Sequence, residues 1–323
     1  MTRIRQGSGA AGVMGALGGG LLRVLASPLL IAAAIVAMLL ITVPFAFVVG
    51  SQLQGALSNQ PPINRDAGEI DPEWWFEFRQ HAGGLASTFT PSIIGFAAPL
   101  SNLSALLDGA ETASPLLLLP YLLAIVVWSF LWGAALERFA HGATRFGLFR
   151  AGARTFIRFL VISMIATAVL VLLYASIHPV LFRVLAPRLE MSATTERTAF
   201  VLRGVVYLLF GTVLVILSVI ADYARVAIVM GSAGSAIGAL REGWRFVRGN
   251  FGSTVALYVL TGLFFVALLV VYGYVDVYGG SRVTGWLGIA IAQAYIVARL
   301  VIRLTFGASE VRLYRELAAG RVG

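Results

Sequence analysis

Six continuous apolar runs constrain the fold of this chain more than any other feature of its sequence. Each is about 20 residues long, which at a rise of 1.5 Å per residue crosses a hydrocarbon core of roughly 30 Å. A helix satisfies its backbone hydrogen bonds within one segment, as lipid requires. The runs do not alternate, which argues against a β-barrel. The predicted spans are Leu29–Val49, Pro115–Leu136, Phe159–Ile177, Ala199–Ala221, Phe251–Val275 and Val283–Phe306.

The composition agrees with a membrane protein. Hydrophobic residues make up 59% of the 323 residues, charged residues only 12%, and the mean hydropathy is +0.88. An ordinary soluble domain is about 45–50% apolar and about 25% charged. A disordered chain and a typical soluble enzyme are therefore excluded. The predicted fold class is all-α: a polytopic transmembrane helical bundle of six spans with amphipathic interfacial helices.

The distribution of arginine predicts the orientation. The segments 1–28, 137–158, 222–250 and 307–323 hold 15 Arg and 5 acidic residues, whereas 50–114, 178–198 and 276–282 hold 6 Arg and 10 acidic residues. The positive-inside rule then places both termini in the cytoplasm. All 24 basic residues are Arg. The absence of Lys is typical of a GC-rich bacterial coding sequence, so we expect a multi-pass protein of the bacterial inner membrane.

The predicted organisation is a cytoplasmic N-terminal segment, 1–28, followed by a six-helix transmembrane domain, 29–323. An uncleaved first helix is favoured over a signal peptide, because its apolar run exceeds the usual 7–15 residues of an h-region. The extracytoplasmic loop 50–114 contains Asp71-Pro72-Glu73, a typical helix start, and then an aromatic run beginning at Trp74. The loop is interpreted as a cap on the bundle; a substrate gate and a partner-docking surface are the alternatives.

A weak internal repeat joins successive hairpins. The second, fourth and sixth spans each end with an acid followed by Arg, and Arg150-Ala-Gly-Ala-Arg154 resembles Arg241-Glu-Gly-Trp-Arg245. Each of these two motifs leads into the next span. The pattern predicts a basic interfacial helix within each of the joining segments 137–158 and 222–250.

The second joining helix is expected to be the better amphipath. Apolar residues recur at helical spacing beside a cationic stripe, which suits a helix resting on an anionic leaflet. The alternative is a loop helix packed on the end of the bundle, and both can hold together. The apolar stripe is Ile237, Leu240, Trp244 and Val247, and the cationic stripe is Arg241, Arg245 and Arg248.

One family resemblance rests on about 30 residues of this region. Ala221-Asp-Tyr-Ala-Arg-Val226, followed by Ala239-Leu-Arg-Glu-Gly-Trp-Arg-Phe-Val-Arg248, resembles a group of bacterial six-span membrane proteins. The layout is also similar to the membrane-anchoring domains that precede some glycerophosphodiester phosphodiesterases. The resemblance implies a six-helix membrane domain. It does not imply phosphodiesterase activity, because no phosphodiesterase domain is present.

The sequence offers no catalytic constellation. There is no cysteine, and the predicted topology separates His141 from His81 and His178. No HExxH, GxSxG, Walker or GxGxxG motif stands in a suitable context. We therefore expect no enzyme activity, no metal, no cofactor and no binding of nucleic acid.

Polar residues inside the spans point to the functional region. Gln293 lies near the middle of the last span, and Arg299 and Arg303 share a face in its cytoplasmic half. These two arginines either snorkel to headgroups or pair with an acid such as Asp222. We expect them to join Asp222, Arg225 and the arginines of the second joining helix in one basic layer. In it, Asp222 pairs with a neighbouring Arg and the remaining arginines bind anionic lipid headgroups.

The expected function is non-catalytic: a structural or accessory subunit of a membrane complex, with membrane protein partners, or a lipid-interacting scaffold. The alternative is a transporter or channel for a small molecule or lipid. A transporter predicts a polar cavity lined by Gln293, Arg299 and residues of several spans, and a structural subunit predicts a filled core.

Overall fold

The computed structural model describes residues 10–57, 63–64, 69–70, 72–90, 96–108, 115–142, 145–279 and 285–319. Eleven α-helices lie within this part of the chain. They are α1 Ala10–Leu25, α2 Pro28–Leu57, α3 Pro72–His81, α4 Ala97–Asp108, α5 Leu118–His141, α6 Arg145–Leu172, α7 Ala186–Met191, α8 Glu196–Val229, α9 Ala236–Gly249, α10 Phe251–Gly279 and α11 Trp286–Ala319. Two-residue strands, β1 Ile63–Asn64 and β2 Glu69–Ile70, pair antiparallel.

Within the described ranges, six helical segments are long and apolar enough to cross a membrane, which confirms the predicted all-α fold with six spans. The chain is thus a multi-pass membrane protein. The segments are Pro28–Gly55, Leu118–His141, Gly147–Met191, Glu196–Val229, Phe251–Asp276 and Trp286–Ala319.

The third segment extends well beyond its predicted end. Residues 178–198 were expected to form a loop, but the helix continues through π-helical turns at Leu173–Ile177 and Val180–Leu185 into α7. The wider turns flank Pro179, where an α-helical hydrogen bond is lost because proline has no N–H. α8 then starts after Thr195, whose hydroxyl accepts a hydrogen bond from the N–H of Thr198 at 3.2 Å. α6, α7 and α8 therefore form one long hairpin.

The predicted N-terminal segment is not simply a tail, since residues 10–25 form α1, which packs along α11. The start of α6 packs on α5 in the same way, and α9 packs on α8. The second, fourth and sixth spans therefore each pack, near their last turns, against a helix that leads into another span. The pairing of α1 with α11 closes the series, so the repeat predicted from two motifs has three members. One end of the bundle is formed by α1, α9 and the last turns of α5, α8 and α11. We call this region the basic end.

A glycine permits close approach at each of these three crossings: Gly20 in α1, Gly152 in α6 and Gly243 in α9. A Cβ atom on Gly243 would lie only 2.7 Å from the carbonyl oxygen of Ile220. The main core surrounds this contact. Phe246 stacks between Tyr223 and Tyr314, with ring centroids 4.8 and 4.4 Å apart.

The two joining segments differ. α9 is a separate helix, because it ends at Gly249 and Asn250 interrupts the helical conformation before α10 starts. The first motif, by contrast, lies within α6, which runs unbroken from Arg145. Gly249-Asn250 supplies the break in one case, and no glycine or asparagine stands at the corresponding place in the other. The first joining segment is therefore helical from Arg145, but its helix is the start of the third span.

The segment between the first two spans packs on the bundle. α3 starts at Pro72 as predicted, although Asp71 itself lies outside the described residues. Trp74 and Phe78 are buried together against the end of α2, where the side chain of Gln52 accepts a hydrogen bond from the N–H of Ala86 at 3.1 Å. The carboxylate of Asp276 in α10 accepts another from the N–H of Phe96 at 3.1 Å.

Candidate functional site

A cavity of about 500 Å³ lies near the basic end, between α6 and α8 on one side and α10 and α11 on the other. Its walls are mainly apolar, with residues such as Val169, Leu170, Leu217 and Phe265. Three charged side chains line it: Asp222, Arg225 and Arg303. The space therefore combines a hydrocarbon-like wall with a small charged cluster.

Asp222 and Arg225 form an ion pair, with Oδ1 and Nη1 2.6 Å apart. The expected pairing of Asp222 with a neighbouring Arg is thus present. The two residues stand one helical turn apart in α8, which places them on one face. Nη2 of Arg225 also donates to the hydroxyl of Ser163 in α6 at 3.3 Å. The pair is fixed to two helices, and its position does not depend on a ligand.

Arg303 carries the charge that this pair does not neutralise. Its guanidinium carbon lies 5.7 Å from the ring centroid of Trp128 and 5.6 Å from that of Trp132, within the range of a cation–π contact. It also lines a second cavity of about 230 Å³, which extends along α5 to Tyr121. Arg303 and Arg225 therefore stand between two cavities, and Arg303 keeps accessible surface although protein surrounds it.

Glu310 is a functional candidate that the sequence reasoning missed. Its side chain is 0% exposed, and neither carboxylate oxygen has a hydrogen-bond partner among the described residues. Its charge would interact with those of Asp222, Arg225 and Arg303. Glu310 is the acid of the acid–Arg motif that follows the sixth span, and Arg312, the arginine of that motif, bonds Glu316 at 2.8 Å.

The predicted basic layer is split in the structure. Asp222, Arg225 and Arg303 line one cavity together, whereas Gln293 and Arg299 of α11 line neither of the two cavities. Arg241, Arg245 and Arg248 are exposed on α9. The reason is the way α9 docks on α8.

The buried residues of α9 include one member of the predicted apolar stripe, Val247, and four residues outside it: Ala236, Ala239, Gly243 and Phe246. Gly243 lets the backbones of α9 and α8 approach closely, and Phe246 packs against Tyr223 of α8. Ile237 and Trp244 remain 59% and 49% exposed beside the three arginines. α9 is therefore both a docked helix and an exposed amphipath, as the two open interpretations allowed together.

Among the described residues, no group of three or more His, Asp or Glu side chains is placed to hold a metal ion. A scan of protein-family models, a search of curated proteins and a search of solved structures found no match to this chain. The resemblance to the membrane-anchoring domains of glycerophosphodiester phosphodiesterases therefore stays a prediction.

Proposed function

We propose that this chain is a non-catalytic, lipid-binding protein of the bacterial inner membrane, with both termini in the cytoplasm. In this proposal the cavity holds one anionic lipid. The observation that carries it is the position of Arg303 and Arg225 at an apolar-walled cavity that several spans line.

The chemistry of the cavity suits an anionic amphiphile. Apolar walls favour acyl chains, since burial of apolar area stabilises by about 25 cal/mol per Å². Arginine binds phosphate through paired N–H donors. Among the side chains that line the cavity, Asp222 is paired with Arg225, which leaves Arg303 to bind one anionic headgroup.

The orientation and the surface support the same proposal. The 15 Arg on one side, against 6 on the other, favour a cytoplasmic basic end. Arg241, Arg245 and Arg248 would then face anionic headgroups of that leaflet, at about 1 kcal/mol for each arginine near the surface. The exposed apolar surface of α8 and α10 is available to lipid or to membrane protein partners.

Native mass spectrometry of the purified protein tests the proposal. Wild type should retain phosphatidylglycerol in preference to phosphatidylcholine, and Arg303→Gln should weaken that preference about tenfold, because a hydrogen bond to a charged group contributes about 1.5–3 kcal/mol. Arg197→Gln is the matched control, since Arg197 is exposed at the start of α8. Equal lipid retention by a normally folded Arg303→Gln variant would contradict the proposal.

A second candidate function is transport of the same class of lipid. It is favoured by the two cavities, which share Trp132, Arg225 and Arg303 as lining residues; the smaller cavity follows α5 from Tyr121 to Trp132. A transporter should move a fluorescent anionic lipid across a liposome membrane, and Arg303→Gln should slow that movement. A rate equal to that of protein-free liposomes would leave the scaffold as the function.

A further inference from the structure

Three arginines from three helices surround a separate cavity of about 270 Å³ at the basic end. Arg23 comes from the last turn of α1, Arg138 from the last turn of α5, and Arg315 from the last two turns of α11. None of these residues belongs to the cluster at Arg303, and the two cavities have no lining residue in common. Among the described residues that line this cavity, none is acidic.

Bonds within the protein hold the three guanidinium groups in place. Nη1 of Arg23 donates to the carbonyl oxygen of Phe139 at 3.1 Å, and Nη2 of Arg315 donates to that of Ala140 at 2.5 Å. Nε of Arg138 donates to the hydroxyl of Ser27 at 2.8 Å. Two of the arginines thus cap the last carbonyl groups of α5, and the third is held by the turn between α1 and α2.

A guanidinium group has five N–H donors, so it can bind an anion and a carbonyl group of the protein at the same time. Burial lowers the pKa of Arg23, and the charges of Arg315 and then Arg312 lower it further, while Glu316 opposes the shift. The cavity therefore brings the positive charges of three helices together.

We propose that Arg23, Arg138 and Arg315 form a binding site for a phosphate group, carried either by the headgroup of an anionic lipid or by a soluble phosphate. Planar guanidinium groups held in fixed directions bind phosphate oxygens through paired hydrogen bonds. A bound phosphate would contact α1, α5 and α11 at once. It would therefore stabilise the packing of α1 on α11, which is the third of the three helix pairs.

Thermal unfolding of the full-length protein in neutral detergent tests the site. Inorganic pyrophosphate should raise the melting temperature of wild type in a saturable way, compared with chloride at equal ionic strength. Arg138→Gln should weaken the apparent affinity about tenfold or more while leaving both caps of α5 in place. Arg197→Gln, at the exposed start of α8, is the control and should respond as wild type does.

Two arms distinguish the sources of phosphate. The same variants in nanodiscs of phosphatidylcholine, with or without phosphatidic acid, show whether a lipid headgroup occupies the site. Stabilisation by phosphatidic acid that Arg138→Gln loses assigns the site to a lipid. A response to pyrophosphate alone assigns it to a soluble phosphate. No saturable response to either, or an equal response in Arg138→Gln, would overturn the proposal.

A measurement on wild type covers the case in which Arg138→Gln does not fold. Phenylglyoxal modifies accessible arginines, and bound pyrophosphate should protect Arg23, Arg138 and Arg315 but not the exposed Arg197. Equal modification with and without pyrophosphate would overturn the proposal. The lipid-retention test at Arg303 involves different residues. Either proposal can therefore fail its own test while the other proposal stands.

Discussion

At the scale of single residues, the charged groups near the cavity differ sharply in how they are satisfied. Arg225 holds Asp222 at 2.6 Å, and the buried carboxylate of Glu137 is held by Nη2 of Arg154 at 2.5 Å and by His141 at 3.0 Å. Glu310, equally enclosed, has no hydrogen bond to either oxygen among the described residues. A buried polar group without a partner is costly, so Glu310 lowers the stability of the fold.

Replacing Glu310 by an apolar side chain is therefore expected to stabilise the protein. Glu310→Leu should raise the free energy of unfolding by about 1 kcal/mol or more, because it removes an unsatisfied carboxyl from the core. Melting temperatures in one detergent measure the effect. Glu316→Leu is the control: Glu316 is in a partly exposed pair with Arg312, and such pairs contribute little. A larger loss of stability in Glu310→Leu than in the control would contradict this view.

The sequence predicted some of these residues and missed others for a definite reason. Asp222 and Arg225 are three residues apart on one helix, so their pairing follows from helical geometry alone. Arg23, Arg138 and Arg315 are far apart in the chain, and only the packing of α1, α5 and α11 brings them together. No periodicity in a single segment encodes such a contact.

At the scale of elements, a small residue sets how closely a helix docks. The predicted apolar stripe of α9, expected to rest on the leaflet or to pack on the end of the bundle, contained only large side chains, because a hydrophobic pattern weights them. The structure exposes Ile237 and Trp244 of that stripe and buries Val247. The rest of the buried face is Ala236, Ala239, Gly243 and Phe246. Close approach of backbones is typical of helix packing in membranes, where van der Waals contact replaces the hydrophobic effect.

A side chain at Gly243 should therefore separate α9 from α8. Gly243→Val is expected to cost about 1–3 kcal/mol, since its Cβ would lie 2.8 Å from the backbone nitrogen of Ala224. Gly211→Val in α8 is the matched control, with no atom within 4 Å of the added Cβ. Both variants carry the same β-branched cost in a helix, so the difference in melting temperature isolates the contact. Equal melting temperatures would show that α9 does not dock through this glycine.

At the scale of the whole molecule, the six spans followed from sequence because length and apolarity are local properties. The continuation of α6 into α7 did not, because proline ordinarily predicts a break, and the π-helical turns that accommodate Pro179 leave no mark in composition. The cavity at Arg303 could not be predicted either. It is the space left between helices, and its volume depends on how four of them pack at once.

The central claim is that this cavity holds an anionic lipid with its headgroup at Arg303. The most direct test is a structure of the wild-type protein in nanodiscs that contain phosphatidylglycerol. We predict acyl density along Leu170 and Phe265 and a phosphate within hydrogen-bond distance of Arg303. A cavity that holds only water, or that side chains close, in the presence of that lipid would contradict the claim.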